Sequence, residues 1–316
     1  MYKDENTSKD EQHLSDDAQV QMYKKFATGV SLSYDILDIH NIPDAAKSGH
    51  FIEFRYGGFG SALSAHPTAK NQFYALTDRG PNTTYNVNHD HGKIFLDPTY
   101  TPRIGLFELQ ANGTIAKIKE ILLKNPQGQT ISGLPNLHFG ASKEIAYDQQ
   151  GCVLTQGNDE FGLDSEGLVA LKDGSFWVSD EYGPHIVHFD ANGVEIDRIN
   201  AYPQDMRRKS GYLLPAEYAN RRQNRGMEGL TITPDQKKLV GIMQSSMSNP
   251  DASVAGSDLV RIILIDLQTK AISQYLYQQE ADSKQHSNTA ITALNSTGFL
   301  VAERDDDFYK DNLKAF

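Results

Sequence analysis

The chain has little of several things, and each shortage excludes a class of protein. Its single cysteine, Cys152, in 316 residues rules out an internal disulfide and a cysteine-based zinc site. No uninterrupted apolar run approaches the ~20 residues that a membrane-spanning helix needs. Positive charge is in deficit: 30 Lys and Arg stand against 41 Asp and Glu, for a net charge of −11. Such a balance repels phosphate backbones, so nucleic acid is not an expected partner. Residues 1–21 are almost entirely polar and lack the basic start and apolar stretch of a secretion signal. What is present is 39% hydrophobic and 22% charged residues, enough to bury a sizeable core, which excludes wholesale disorder.

The clearest pattern begins at Ser165. Glu166-Gly167-Leu168-Val169-Ala170-Leu171, a turn at Lys172-Asp173-Gly174 and Ser175-Phe176-Trp177-Val178-Ser179 form a β-hairpin signature. Ile186-Val187-His188-Phe189, the turn at Asp190-Ala191-Asn192-Gly193 and Val194-Glu195-Ile196-Asp197-Arg198-Ile199 extend it to a four-stranded meander. The unit recurs with longer loops between Ser61 and Leu123, and again from Glu228 to Tyr277, its start 62 residues after Glu166. Repeated four-stranded units predict an all-β protein, a β-propeller of meander blades. Residues 1–28 read as a polar N-terminal segment and 29–316 as one propeller domain. A fourth copy starts at Ala290 and has room for two strands before Phe316. The last blade is therefore expected to be completed by N-terminal strands at 30–39 and 51–55 or by chain beyond the given sequence, and the second option is preferred. Residues 214–222 predict a short helix inside an inserted loop.

Polar residues follow the second strand of each unit: Asp78-Arg79-Gly80, Asp180-Glu181-Tyr182, Gln244-Ser245-Ser246 and Glu303-Arg304-Asp305. Equivalent positions in a propeller share one end. Glu166 and Glu228 each open a unit as Glu-Gly-Leu, where the glycine admits neighbouring backbone and the carboxylate is expected to face the channel. The implied cluster is Asp78, Glu166, Asp180, Glu181, Glu228 and Glu303, with Arg79 and Arg304. Converging carboxylates repel, which suggests a hard cation such as Ca²⁺, with its preference for oxygen ligands. Asp78, Glu166, Asp180, Glu228 and Glu303 are the expected metal ligands. Glu166, Asp180, Glu181, Glu228 and Glu303 are the expected catalytic carboxylates, and Arg79 and Arg304 the clamp on a substrate anion. His185, beside the Asp180-Glu181 turn, is a further substrate-binding candidate. A bland reading pairs these acids with the arginines or with strand-end amides.

These residues carry a resemblance. Gly58-Phe59-Gly60-Ser61-Ala62-Leu63, with residues 73–82, 164–184, 224–246 and 300–305, resembles the bacterial phytase-like family named for the esterase-like activity of phytase. The resemblance implies a propeller that is usually exported to the periplasm or secreted, and metal-dependent hydrolysis of a small anionic phosphoester. It picks out Asp78, Arg79, Glu166, Asp180, Glu181, Glu228, Glu303 and Arg304. Members normally continue past the block at 300–305. Two alternatives stay open: a calcium-dependent lactonase-type propeller, and a non-catalytic binding propeller with structural calcium. No Gly-x-Ser-x-Gly elbow is present, so a serine triad is not expected. Trp177 is expected to pack within a sheet and Cys152 to fill the core.

Overall fold

The computed structural model describes residues 42–43, 51–52, 57–87, 90–280 and 287–304. The segment 1–28, the expected strand at 30–39 and the acidic run at 305–307 lie outside them. Strands account for nearly all regular structure. β1 (Ile42–Pro43) pairs antiparallel with β2 (Phe51–Ile52). β3 (Ala62–Ala65) and β4 (Gln72–Leu76) open a four-stranded antiparallel sheet. The chain leaves it as the hairpin β5 (Asn82–Val87) and β6 (Asp90–Phe95), and returns as β7 (Arg103–Leu109) and β8 (Ile115–Leu122). β9 (Ile145–Tyr147) pairs parallel with β6, making a small extra sheet that the sequence pattern did not announce.

The second sheet runs β10 (Ser165–Ala170), β11 (Phe176–Asp180), β12 (His185–Phe189) and β13 (Glu195–Ile199). The third runs β14 (Met227–Ile232), β15 (Lys238–Met243), β16 (Leu259–Asp266) and β17 (Ile272–Gln278). β18 (Ser287–Ala293) and β19 (Phe299–Arg304) form a two-stranded sheet. The three meanders thus fall where the repeats predict them. Asp-Gly and Asn-Gly turns close the hairpins, with glycine at positive φ in Gly174 and Gly193, a geometry that β-carbons resist. Residues 51–52 pair with β1, so the described part of the 51–55 segment does not extend the β18–β19 sheet.

First strands of successive sheets lie side by side, and the Glu-Gly-Leu repeat shows why. A Cβ on Gly167 would stand 2.7 Å from the Leu230 amide nitrogen, and one on Gly229 2.8 Å from that of Ile291. Glycine at this place lets β10 approach β14, and β14 approach β18. Side chains stitch the same seams: Ser165 Oγ donates to Thr77 O at 2.7 Å, Ser179 Oγ to Glu228 O at 2.9 Å and Asn288 Nδ2 to Met243 O at 3.1 Å.

Between the first and second sheets, Leu76, Ile104, Phe176, Val187 and Phe189 form one apolar cluster. Between the second and third, Trp177, Ile186, Val240, Ile242 and Ile263 form another. Because sheets cover both faces of β11, all five of its residues are buried and its polar alternation is lost. Trp177 packs in the sheet as expected, stacked on His188 with ring centroids 4.1 Å apart. The helix expected at 214–222 is a single 3₁₀ turn, Ala216–Asn220, that buries Tyr218. Cys152 is exposed, not core. It follows a tight turn in which its amide donates to Asp148 Oδ1 at 2.8 Å, and that turn sits at the surface.

Candidate functional site

Three bulges aim the acidic residues. In β10 the register slips between Ser165 and Gly167, in β14 between Met227 and Gly229, and in β18 between Asn288 and Ala290. The extra residue in each is Glu166, Glu228 and Thr289, and a bulge turns its side chain out of the regular alternation. The same register sets Asp180 opposite Ser165, Met243 opposite Met227 and Glu303 opposite Asn288. One step further along lie Glu181, Gln244 and Arg304. Glu181 and Gln244 are therefore the matched pair, and Asp180 falls on the other face of the strand.

Carboxylate oxygens of Asp78, Asp164 and Glu166 lie within 4.8 Å of one another, as do those of Glu166, Glu181 and Glu228. The two triads share Glu166, so five carboxylates form one continuous cluster. Asp164 was not singled out by the repeat comparison. It stands in the loop just before β10, two residues ahead of the bulged Glu166, where no strand period marks it.

Few donors serve this cluster. Gln244 Nε2 donates to Glu181 Oε1 at 2.5 Å and Glu228 Oε2 at 3.1 Å, and Asn224 Nδ2 reaches Glu181 Oε2 at 3.5 Å. Arg79 Nη1 lies 3.1 Å from Asp164 Oδ2 and 3.0 Å from Glu144 Oε1. Asp164 is 1% exposed, and among the described residues neither of its oxygens accepts a well-formed hydrogen bond. Burial pushes the carboxyls of Asp164, Glu166 and Glu228 well above the usual range, and neighbouring carboxylates push them further. Burial raises Glu181 too, with Arg79 pulling against it. An all-oxygen, under-donated cluster with Asp164, Glu181 and Glu228 buried and Asp78 and Glu166 half-buried fits a hard cation. Either triad would supply three carboxylates, with Glu166 at the shared corner.

The remaining candidates sit elsewhere. Asp180 is fully buried and accepts the amides of Asp164 at 2.9 Å and Tyr182 at 3.2 Å, so it shapes the two turns that carry Asp164 and Glu181. Burial raises its carboxyl to about 7. The structure brings it into neither triad, because it faces the opposite way from Glu181. Glu303 accepts the Tyr277 hydroxyl at 2.5 Å and the Glu280 amide at 3.1 Å, and is likewise outside both triads. Arg304 is exposed, and its charge acts on Glu228. His185 has no exposed surface: Asn200 lies 3.2 Å from Nδ1 and Asn136 3.5 Å from Nε2. Burial, then the charges of Arg198 and Arg207, hold it well below the usual histidine range, a neutral ring inside the protein.

Arg79 is the largest departure from expectation. It is 5% exposed, its guanidinium held by Glu144, Asp164 and Asn224 and placed 5.2 Å from the centroid of the Tyr182 ring. Its own amide also donates to Asp78 Oδ1. Glu144 and Asn224, which complete this setting, were not among the expected site residues. Both lie in long loops, where no strand period marks them.

An all-β protein of four-stranded antiparallel sheets that gathers a carboxylate cluster at strand bulges and adjoining turns is the class that fold and site define. The chain belongs to the phytase-like family described as "Esterase-like activity of phytase", whose model matches residues 55–316. An "Uncharacterized secreted protein" of Arthroderma benhamiae is 32% identical over 232 residues, covering 61% of this chain and 45% of that protein. The chain thus spans under half the length of that relative. Among solved structures, virginiamycin B lyase from Staphylococcus aureus is similar at 9% identity and a TM-score of 0.30, covering 82% of this chain and 83% of that one. A protein from Lactobacillus plantarum is similar at 14% identity and a TM-score of 0.34, covering 78% of this chain and 64% of that one.

Proposed function

We propose that the protein is an exported β-propeller hydrolase that uses a divalent cation, Ca²⁺ as first choice, to cleave a phosphoester or related ester. The observation that carries this reading is the cluster itself: five carboxylates gathered at strand bulges and adjoining turns with few donors to hold them. Leaving such charges together costs several kcal/mol unless a cation or protons compensate. A cation bound there supplies Lewis-acid polarisation of the ester oxygen and a more acidic water. Glu166, Glu181 and Glu228 would hold the cation, and one carboxylate of the cluster would accept the proton that the water gives up. Asp180 and Gln244 fix the turn and the glutamates in place.

One observation favours an ester or lactone of low charge over a highly phosphorylated substrate. Of the two arginines expected to clamp an anion, Arg79 is buried among acids, which leaves the exposed Arg304. The test is hydrolysis of p-nitrophenyl phosphate, p-nitrophenyl acetate and a sugar lactone, in Ca²⁺ and in EDTA, by wild type and Glu166→Gln. Turnover that needs Ca²⁺ and disappears in the variant is expected, fastest on the uncharged substrates. No turnover of any substrate by a folded, Ca²⁺-stabilised protein would instead establish a binding propeller.

A further inference from the structure

The two triads that share Glu166 are not equivalent, and Arg79 makes the difference. In the first, Arg79 serves two of the three acids: its guanidinium lies 3.1 Å from Asp164 and its amide donates to Asp78. It is fixed there by Glu144 at 3.0 Å and Asn224 at 3.3 Å, and by the aromatic faces of Tyr182 and Phe95. Gly133 secures the same loop, since a Cβ there would stand 1.7 Å from Arg79 O. In the second triad, Glu181 and Glu228 share the amide of Gln244, which carries no charge. Glu166, common to both, accepts no hydrogen bond among the described residues, while Asp164, 1% exposed, keeps an oxygen without a donor.

We infer that Arg79 is a built-in cation: its guanidinium takes the place of a metal ion at the Asp78–Asp164–Glu166 triad, so that the protein binds one divalent cation, at Glu166–Glu181–Glu228. This rests on the metal-site reading above and specifies it. Arg79 is then a positioning residue and not part of a substrate clamp. A guanidinium suits this place because it stays protonated at any working pH and bonds in a plane to carboxylates. Burial between two acids and two rings strengthens its attraction and keeps it from reaching a ligand. The consequence is a count. Removing the charge frees a second oxygen triad of the same kind, next to the first and bridged to it by Glu166.

The experiment titrates the full chain with Ca²⁺ by calorimetry and with Tb³⁺ by luminescence, in wild type, Arg79→Gln and Arg79→Lys. One ion is expected in wild type, two in Arg79→Gln and one again in Arg79→Lys, which restores the charge. A residue with a merely structural role would change stability without changing the count. Two ions in wild type, or one in a folded Arg79→Gln, would overturn the inference and spare the metal site. No uptake by wild type would overturn the metal site itself. Should Arg79→Gln not fold, Asp164→Asn and Glu181→Gln decide with Arg79 in place. Asp164→Asn is expected to keep one ion with affinity changed less than about tenfold, and Glu181→Gln to weaken binding more than about a hundredfold. The reverse order would place the ion in the first triad and overturn the inference.

Discussion

Two buried polar centres stand in the loops before and after the second sheet, and they are built on opposite terms. At Asp205, 3% exposed, Arg207 donates from its backbone and from Nε and Nη2, and Asn200 adds a bond at 2.7 Å. Burial raises this carboxyl, but those bonds outweigh it and bring it below its ordinary value. At Asp164 burial again comes first, and the pull of Arg79 does not overcome it, so the carboxyl stays well above the ordinary range. Both expose little surface, although Asp164 lies deeper. Donors separate them further: the first centre satisfies itself and the second does not. A centre that satisfies itself holds the fold, and one that leaves charge unpaired is suited to hold something else.

The largest expected effect breaks the self-satisfied side. Asp205→Ala strips Arg207 and Asn200 of their acceptor and leaves a buried cation unpaired, which should cost about 3 kcal/mol in denaturant unfolding. A loss below 1 kcal/mol would show that the network is not a structural centre. Next is the pH profile of the chelated protein. The folded carboxyls of Asp164, Glu166, Glu181 and Glu228 are raised, so the native state keeps protons that the unfolded chain releases from about pH 4 upward. Stability from these groups is full below that pH and is lost as pH rises through their folded values. In EDTA the melting midpoint should therefore fall between pH 5 and pH 8 by several degrees, and saturating Ca²⁺ should remove most of that fall.

A smaller effect sharpens the contrast. Glu228→Gln removes one repelling charge, so the chelated variant should melt at or above wild type at pH 8, while its response to Ca²⁺ disappears. A chelated Glu228→Gln that melts well below wild type would mean that Glu228 is an ordinary structural acid. The smallest effect concerns Asp180, whose carboxyl is raised to about 7. Asn keeps the Oδ1 acceptor for the two amides and never ionises, so Asp180→Asn should melt at or above wild type at pH 8 and lessen the pH slope between 4 and 7.

The meanders were legible because their period is local: alternating apolar residues and Asp-Gly or Asn-Gly turns within about ten residues of each other. Glu166 and Glu228 were legible for a related reason, as Glu-Gly-Leu repeats with a seam to fill. Asp180 and Glu303 were aligned with the cluster because they follow the second strand, yet a bulge opposite each shifts the facing by one residue. One residue is enough to send a strand side chain to the other face. No spacing rule announces a bulge partner. The setting of Arg79 was illegible for another reason: Glu144, Asp164 and Asn224 come from three loops, the farthest 145 residues away from it in sequence. His185 looked like a site residue by its neighbours in sequence, and strand pairing instead turned it into the interior beside Asn136 and Asn200.

The central claim is that the carboxylate cluster is completed by a cation, and a thermal melt of the full chain at pH 8 tests it most directly. The protein is melted in excess EDTA and again in millimolar Ca²⁺. A ligand present at a hundredfold over its dissociation constant adds about 2.7 kcal/mol to the folded state, so the midpoint should rise by several degrees. Two coincident, cooperative melts would contradict the account, and would mean that Arg79, Gln244 and bound protons are all the compensation these five acids require.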